Sequence, residues 1–583
     1  MWLSLTLGLL FLYIVDYSRQ LYKNIRIAQR TELPYVVAPF SIGIIQVILF
    51  QTRWFPYIVD NVLPASLGDN LRDVLSTSRW VLKDRQVRKY GKVYLVVTPR
   101  VVLCNVSDAG VVVQVTHARG GWPKPIWLYQ GVELYGPNVV TSEGHHWARH
   151  RRRTATIFNK KNDALVWKES IRLVQEMLEQ WKTGNGSRDL LVQTVRDDVP
   201  KFALNVFSAA GFGVRMPFKP VADNSAEVKN GRYGIFQDTP TPPQGFDFTF
   251  RGVVHYMCSN ISMVILAIFI LPKWAPRVLF PFLRRSFSAH RDLKNYLEML
   301  LSNAKTEDSP TTSDLVHEMI RDRSTSTGGS LSDQEIISNG HVFTIAGHET
   351  TATTLRYALL LLALHQDVQE WVWQGSVEAT TDEPADVEAW NEESVYPKLV
   401  TPLCVMLETM RLYPPVVTVP KWTGNEVRSI HYQDRDVPLG QGININLNMN
   451  GLHYSEEYWG PDVQIFSPQR WDARNKESYL ARNADLTGLN SPGLEYSTIH
   501  KPVRGAYIPF SDGVRACLGK KFAQVEVVIA LTVILRQYRI ELAQKGEKGR
   551  KQAERALEDS ASMIALAMNQ DVPLVFRERG ESQ

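Results

Sequence analysis

The run Phe510-Ser-Asp-Gly-Val-Arg-Ala-Cys-Leu-Gly519 decides how the rest of the chain is read, because it sets one cysteine, Cys517, in a loop suited to ligating iron. A thiolate ligand needs a fixed backbone, donors that stabilise its charge, and a helix whose positive end points at the sulfur. Gly513 and Gly519 allow backbone conformations or close approaches that a Cβ would block. Phe510 can shield the sulfur from water, and Arg515 adds a nearby cation. Beyond Cys517, apolar residues such as Phe522, Val525, Val528, Ile529 and Leu535 recur at helical intervals, so the cysteine is expected at or near a helix N-terminus. Cys104, Cys258 and Cys404 are too widely separated for a zinc cluster and read as buried, inert thiols.

The spacing Phe-x-x-Gly-x-Arg-x-Cys-x-Gly resembles the haem-binding loop of the cytochrome P450 family. The resemblance implies a mainly α fold with small β-sheets, in which haem b lies between a long central helix and the cysteine loop. It also implies that Cys517 is the axial ligand of the haem iron, with Phe510, Gly513, Arg515 and Gly519 around it. Three further motifs stand in the family's order. In Gly144-His-His-Trp-Ala-Arg-His-Arg-Arg-Arg153, Trp147 and Arg151 are spaced i, i+4 and share one helical face. A basic run is ordinarily a solvated face, but the family's Trp-x-x-x-Arg binds a haem propionate, and both side chains are donors without acceptor capacity.

Ser332 and Glu335 form a capping-box pair, from which a helix is expected to run to about His365. Its middle, Ala346-Gly-His-Glu-Thr-Thr351, puts polar residues in an apolar frame, where burial of an acid demands a reason. Ala346 and Gly347 are small enough for a flat ligand to lie against the backbone, and Glu349 and Thr350 can hold water and relay protons. By resemblance to the family's central helix, Thr350 and Glu349 are the catalytic residues that handle dioxygen. Glu408-Thr-Met-Arg411 pairs a carboxylate and a guanidinium at i, i+3, in the manner of the family's Glu-x-x-Arg. With Arg470 of Phe466-Ser-Pro-Gln-Arg-Trp471 it is expected to form a structural network.

At 583 residues and net charge +5 the composition is globular and argues against a nucleic-acid partner. Four scattered cysteines give no disulfide framework and suit a reducing compartment. Met1 to Val15 is almost wholly apolar and is followed by Arg19, Lys23, Arg26 and Arg30. Basic residues after rather than before the run point to an uncleaved membrane anchor over residues 1–30, with the body cytosolic at the endoplasmic reticulum; a removed signal or an interfacial helix are the alternatives. Residues 31–60, broken by Pro34 and Pro39, read as a linker or interfacial segment, and 61–583 as the catalytic domain. Ile261 to Leu271 reads either as an interfacial segment or as a core helix.

Lys92 to Thr98 and Val101 to Cys104 are expected strands, and Asn162 to Trp181 and Leu190 to Gly211 expected helices. Gly211-Phe-Gly lacks the third glycine and βαβ frame of a dinucleotide loop. Asp472 to Val503 reads as an insertion, and Met563 to Phe576 as a terminal hairpin whose turn reaches the pocket. With no flavin or dinucleotide signature after Gly519, electrons are expected from NADPH through a separate cytochrome P450 reductase, docking near Arg149, Arg152, Lys520 and Lys521. The resemblance implies a monooxygenase acting on a lipophilic small molecule and looks like fungal members that tailor terpenoids, polyketides or alkaloids. A fatty-acid hydroxylase, or an isomerase or dehydratase that bypasses dioxygen, are the alternatives.

Overall fold

The computed structural model describes residues 2–580 except 39–53, 75–78, 119–120, 130, 186–188, 224, 231–232, 272–279, 307–313, 322–329, 475–497 and 563. The helices that position the site are α1 (Trp2–Gln29), α2 (Ala109–His117), α3 (Gly144–Ala155), α4 (Lys160–Asn185), α5 (Val195–Phe212), α6 (Phe250–Ser259), α7 (Arg284–Lys305), α8 (Asp333–Leu364), α9 (Val400–Leu412) and α10 (Lys520–Gln537). The strands are β1 (Tyr35–Val37), β2 (Val93–Val97), β3 (Val102–Val106), β4 (Asp189–Val192), β5 (Thr418–Trp422), β6 (Arg428–Tyr432), β7 (Arg435–Leu439), β8 (Asn444–Asn448), β9 (Tyr538–Leu542), β10 (Ser560–Ser562), β11 (Leu566–Met568) and β12 (Leu574–Glu578).

Helix α8 is the axis of the molecule. Its capping box forms as the sequence predicts: the Ser332 hydroxyl accepts from the Glu335 amide, and the Glu335 carboxylate accepts from the Ser332 amide at 2.8 Å. From Ile336 onward nearly every side chain is buried, polar ones such as Asn339, Thr344 and His348 included, so the helix is enclosed all round, as expected of a core helix. Helix α5 lies against it so closely that a Cβ on Gly347 would come within 2.5 Å of the Phe207 ring.

The main sheet runs β1-β2-β3-β8-β5, with β1 parallel to β2 and β3 parallel to β8. Leu95 faces Cys104 across the antiparallel β2–β3 pair. Strand β1 is drawn from the segment read as a linker, because Tyr35 to Val37 find open partners on the edge of β2; the sheet therefore begins before residue 61. The remainder of the apolar run Leu33–Phe50 lies outside the described residues from 39 on.

Two expectations are corrected. Leu190–Val192 belongs to β4, not to a helix: buried and exposed residues alternate there with the period of a strand. The terminal hairpin is Ser560–Met568, whereas Leu574–Glu578 forms the centre of a separate sheet, β4-β12-β9. Of the hairpin's turn, Met563 lies outside the described residues, and Ile564 and Ala565 do not line the central cavity described below.

The second half of α1 docks onto the sheet, with Asn24 Nδ2 donating to the Thr98 and Pro99 carbonyls at 2.9 and 3.1 Å and Ala28 fully buried. Its first half exposes Leu7, Phe11, Leu12, Ile14 and Val15. Among the described residues no single helix is long and apolar enough to cross a membrane; α6 together with Ile261–Phe269, bent by 88°, meets that length and composition as a pair. Ile261, Val264 and Ala267 are buried while Phe269 is exposed, so this segment is largely core; Lys273, Trp274 and Arg277 lie outside the described residues.

Candidate active site

A single cavity is lined by residues from both halves of the sequence pattern: Cys517 with Phe510 and Arg515 from the loop, and Ala346, Gly347 and Thr350 from α8. Cys517 is exposed toward this cavity. The loop is held by short bonds: the Cys517 amide donates to the Phe510 carbonyl at 2.8 Å and the Ala516 amide to Gly513 at 3.1 Å. Gly513 has φ +68°, and a Cβ there would collide with the Thr116 carbonyl oxygen at the end of α2. Gly519 differs. Its φ is −85°, and the nearest protein atom to an added Cβ is Phe158 Cε1 at 3.6 Å, so only an occupant of the cavity could require a glycine there. Gly513→Ala is therefore expected to destabilise the fold by about 2 kcal/mol or more, read as a lower midpoint of thermal unfolding, while Gly519→Ala leaves the midpoint of haem-free protein nearly unchanged.

Helix α10 begins three residues after the cysteine, with Gly519 as its N-cap. Burial raises the Cys517 thiol above its ordinary value, opposed by the Gly519 amide and the charges of Arg151 and Lys520. Those opposing groups would stabilise a thiolate bound to a metal.

At one side of the cavity the charge is strongly one-sided. Arg151 Nη1 donates to the Ala516 carbonyl at 2.7 Å, and the Arg515 guanidinium lies 4.1 Å from the Trp147 ring centroid and 2.7 Å from the Glu143 carboxylate. Lys124 lines the cavity and Lys421 is buried on β5. Burial, with the neighbouring cation Arg515, pushes Lys124 down to about 7 and Lys421 down to about 8. Among the described residues Glu143 is the one carboxylate acting on Lys124, Lys421 and Arg515, while the Cys517 sulfur favours the charge of Arg151. Such an excess of buried positive charge calls for an anionic occupant. Trp147 and Arg151 are legible in the sequence; Lys124, Lys421 and Glu143 are not, since each arrives from a loop or strand without a spacing to mark it.

Thr350 faces the cavity, its hydroxyl donating to the Ala346 carbonyl at 2.8 Å. Glu349 does not line the cavity: its carboxylate lies 3.6 Å from His348 Nε2 instead. Consecutive helical residues are rotated by about 100°, so the acid and the hydroxyl that the sequence sets side by side serve different faces of α8.

Glu408 and Arg411 are fully buried and joined twice at 2.8 Å. Arg470 Nε donates to Glu408 at 3.0 Å, Trp471 Nε1 at 2.9 Å and the Ser467 amide at 3.1 Å. Burial alone would raise the Glu408 carboxyl, but Arg411 and Arg470 outweigh it and hold the group down at about 2. His453, which the sequence did not single out, carries this network to the cysteine loop. Its Nδ1 lies 3.1 Å from the Arg411 carbonyl and its Nε2 accepts from the Ile508 amide at 3.4 Å. A carbonyl can only accept and an amide N–H only donate, so the proton sits on Nδ1; burial and Arg411 push the imidazole down to about 3 and keep it neutral.

Residues 81–563 match the family model described as Cytochrome P450. The chain belongs to the cytochrome P450 family. It is similar to a cytochrome P450 monooxygenase of Postia placenta, 30% identical over 81% of this chain and 83% of the relative. A cytochrome P450 monooxygenase of Arthrobotrys oligospora is 27% identical over 97% of each chain. A third relative, 24% identical over 81% of this chain and 80% of its own length, is named as the cytochrome P450 monooxygenase of the phomenoic acid biosynthesis cluster of Leptosphaeria maculans. Among solved structures, a cytochrome P450 superposes with TM-score 0.64 at 18% identity, covering 87% of this chain and all of that one. A P450 haem domain gives TM-score 0.62 at 18% identity, over 85% of this chain and 92% of that one.

The cavity of this cytochrome P450 fits haem b on its own chemistry. A lone thiol offers one axial ligand, small residues on α8 leave a wall without side chains, and the surplus cations suit two propionates.

Proposed function

We propose that this cytochrome P450 works as a monooxygenase on a lipophilic small molecule, of the terpenoid, polyketide or alkaloid kinds tailored in fungal secondary metabolism, with electrons from a separate NADPH-dependent reductase. The observation that carries the reading is that Cys517 and Thr350, far apart in sequence, line one cavity whose walls away from the cations include the apolar Val140, Phe343, Val416 and Val419. The fungal relatives, one of them named for a biosynthesis cluster, support the substrate class.

Haem b, bound through Cys517, would supply the activation of dioxygen. Around it the chain's own residues have separate tasks. The loop Phe510–Gly519 fixes the sulfur, and the amide of Gly519 and the start of α10 favour its charge. Arg151, Arg515 and Lys124, which line the cavity, would hold the haem's propionate carboxylates. Phe343 and Val416 keep water from the reacting carbon. Thr350 presents its Oγ as a proton donor on releasing the Ala346 carbonyl, and solvent makes good the proton.

The reductase docks where the helix N-terminus behind the sulfur nears the surface. Arg152, exposed on α3, and Lys520 support that face. Arg149 does not belong to it, being committed to the Glu335 carboxylate and the Ser330 carbonyl at 2.7 Å. Lys521 is likewise engaged, over the Tyr396 ring and 3.9 Å from Glu392. The apolar first half of α1 supports attachment to the endoplasmic reticulum membrane with the body in the cytosol.

Turnover of a lipophilic panel should require NADPH, a reductase and dioxygen together. Product made without NADPH would instead point to a dioxygen-independent isomerase or dehydratase and sink the proposal. Thr350→Ala should lower product formed per NADPH consumed by about 10-fold or more with the haem spectrum intact; unchanged coupling would remove Thr350 from the proton path.

A further inference from the structure

Outside the lining of the cavity, α6 packs against α8 and brings Cys258 against His348 and Glu349. The Cys258 sulfur, one His348 nitrogen and one Glu349 oxygen all lie within 4.8 Å of one another. None of the three lines the haem cavity. Cys258 and His348 are buried, at 6% and 3% exposure, while the Glu349 side chain keeps 24% and leaves a way in.

The hydrogen bonding makes the cluster more than a chance approach. His348 Nδ1 lies 2.6 Å from the Thr344 carbonyl, which can only accept, so the ring proton sits on Nδ1 and Nε2 presents a lone pair. That lone pair looks at the Glu349 carboxylate, 3.6 Å away, with a thiol beside both. Two acceptors facing each other in a partly buried site favour a positive charge between them. A proton or a metal cation can supply that charge.

A metal ion is the better answer on ligand chemistry. Metal-bound histidines typically donate their second ring N–H to a backbone carbonyl, as His348 does to Thr344. Ligands at about 2.0–2.1 Å for nitrogen and oxygen and about 2.3 Å for sulfur, arranged tetrahedrally, stand roughly 3.3–3.4 Å apart between nitrogen and oxygen and roughly 3.5–3.6 Å from the sulfur. The observed 3.6 Å between nitrogen and oxygen needs only a small closure to reach that spacing. A thiolate with an imidazole and a carboxylate suits a borderline divalent ion, not the all-oxygen preference of calcium or magnesium.

We propose that Cys258, His348 and Glu349 form a second metal site, distinct from the haem, that binds a zinc-class divalent cation with water in its fourth position. The ion clamps α6 to α8 one residue from Thr350 and takes Glu349 as a ligand. Cys258, which reads from sequence as an inert thiol, is then functional.

The test uses the full haem-loaded chain in detergent, treated with a chelator and then titrated with zinc. Haem loading occupies Cys517, and the carbon monoxide spectrum of the same sample checks that it does. Wild type should retain about one zinc per chain, and its zinc-edge X-ray absorption should show one sulfur at about 2.3 Å. Cys258→Ser, nearly isosteric, should weaken zinc retention by about 10-fold or more while keeping the haem spectrum. Absence of zinc from the wild type, a zinc shell without sulfur, or full affinity in Cys258→Ser each overturns the site. Should the serine variant fail to load haem, the wild-type absorption edge and Glu349→Gln, expected to lose affinity likewise, decide the matter.

Discussion

Cys517→His is expected to bind haem and lose the strongly red-shifted Soret band of the reduced carbon monoxide complex, and to lower turnover by ~100-fold or more, about 3 kcal/mol of barrier. The expectation rests on the surroundings of the sulfur rather than on the cysteine alone. The Gly519 amide, Arg151, Lys520 and the start of α10 all favour negative charge at this position. A neutral imidazole would gain nothing from them and would donate less electron density to the iron. The comparison needs one spectrum and one turnover measurement on each protein. A red-shifted band surviving in the variant would mean that another thiol ligates the iron. Among the described residues the other three cysteines are buried and do not line the cavity, so that outcome would overturn the placement of the haem itself.

Glu408→Gln is expected to cost about 3–5 kcal/mol of stability and to lower haem occupancy. Removing the charge leaves Arg411 fully buried without its counter-ion and Arg470 with Asp462 alone, at 3.0 Å. The damage should reach the cysteine loop, because the Arg411 carbonyl orients His453 and His453 accepts from Ile508, two residues before Phe510. A second bond tightens the same link: the Tyr507 hydroxyl donates to the Leu407 carbonyl at 2.9 Å. Acid should reproduce part of the effect. Glu408 falls from an ordinary 4.5 to about 2 on folding. Its contribution, about 3 kcal/mol by linkage, is thus fully present above pH ~4.5 and lost as pH falls toward 2. Thermal unfolding across pH 2 to 6 checks it: the wild type should lose stability over that window more steeply than Glu408→Gln. Equal slopes would mean that Glu408 is not the group whose ionisation holds the network together.

Sequence alone determined the family, the cysteine loop, the start and end of α8 and the pairing of Glu408 with Arg411, because each of these is local. A capping box, an i, i+3 ion pair or a glycine at positive φ such as Gly513 is a relation among residues within one or two turns, so its physics is already complete in the order of side chains. Strand β4 inside an expected helix was missed since its four residues are too few to declare a period, and β1 since an edge strand is defined by the neighbour it meets. What only the tertiary structure decided are the relations between elements. The cation surplus of Lys124 and Lys421 beside Arg515, the relay from Arg411 through His453 to Ile508, and the meeting of Cys258 with His348 all join segments distant in the chain. Even Glu349 and Thr350, adjacent in sequence, are separated by the turn of the helix between them: the order of residues names the groups, and the packing of α5, α6 and α10 against α8 decides which face each one serves.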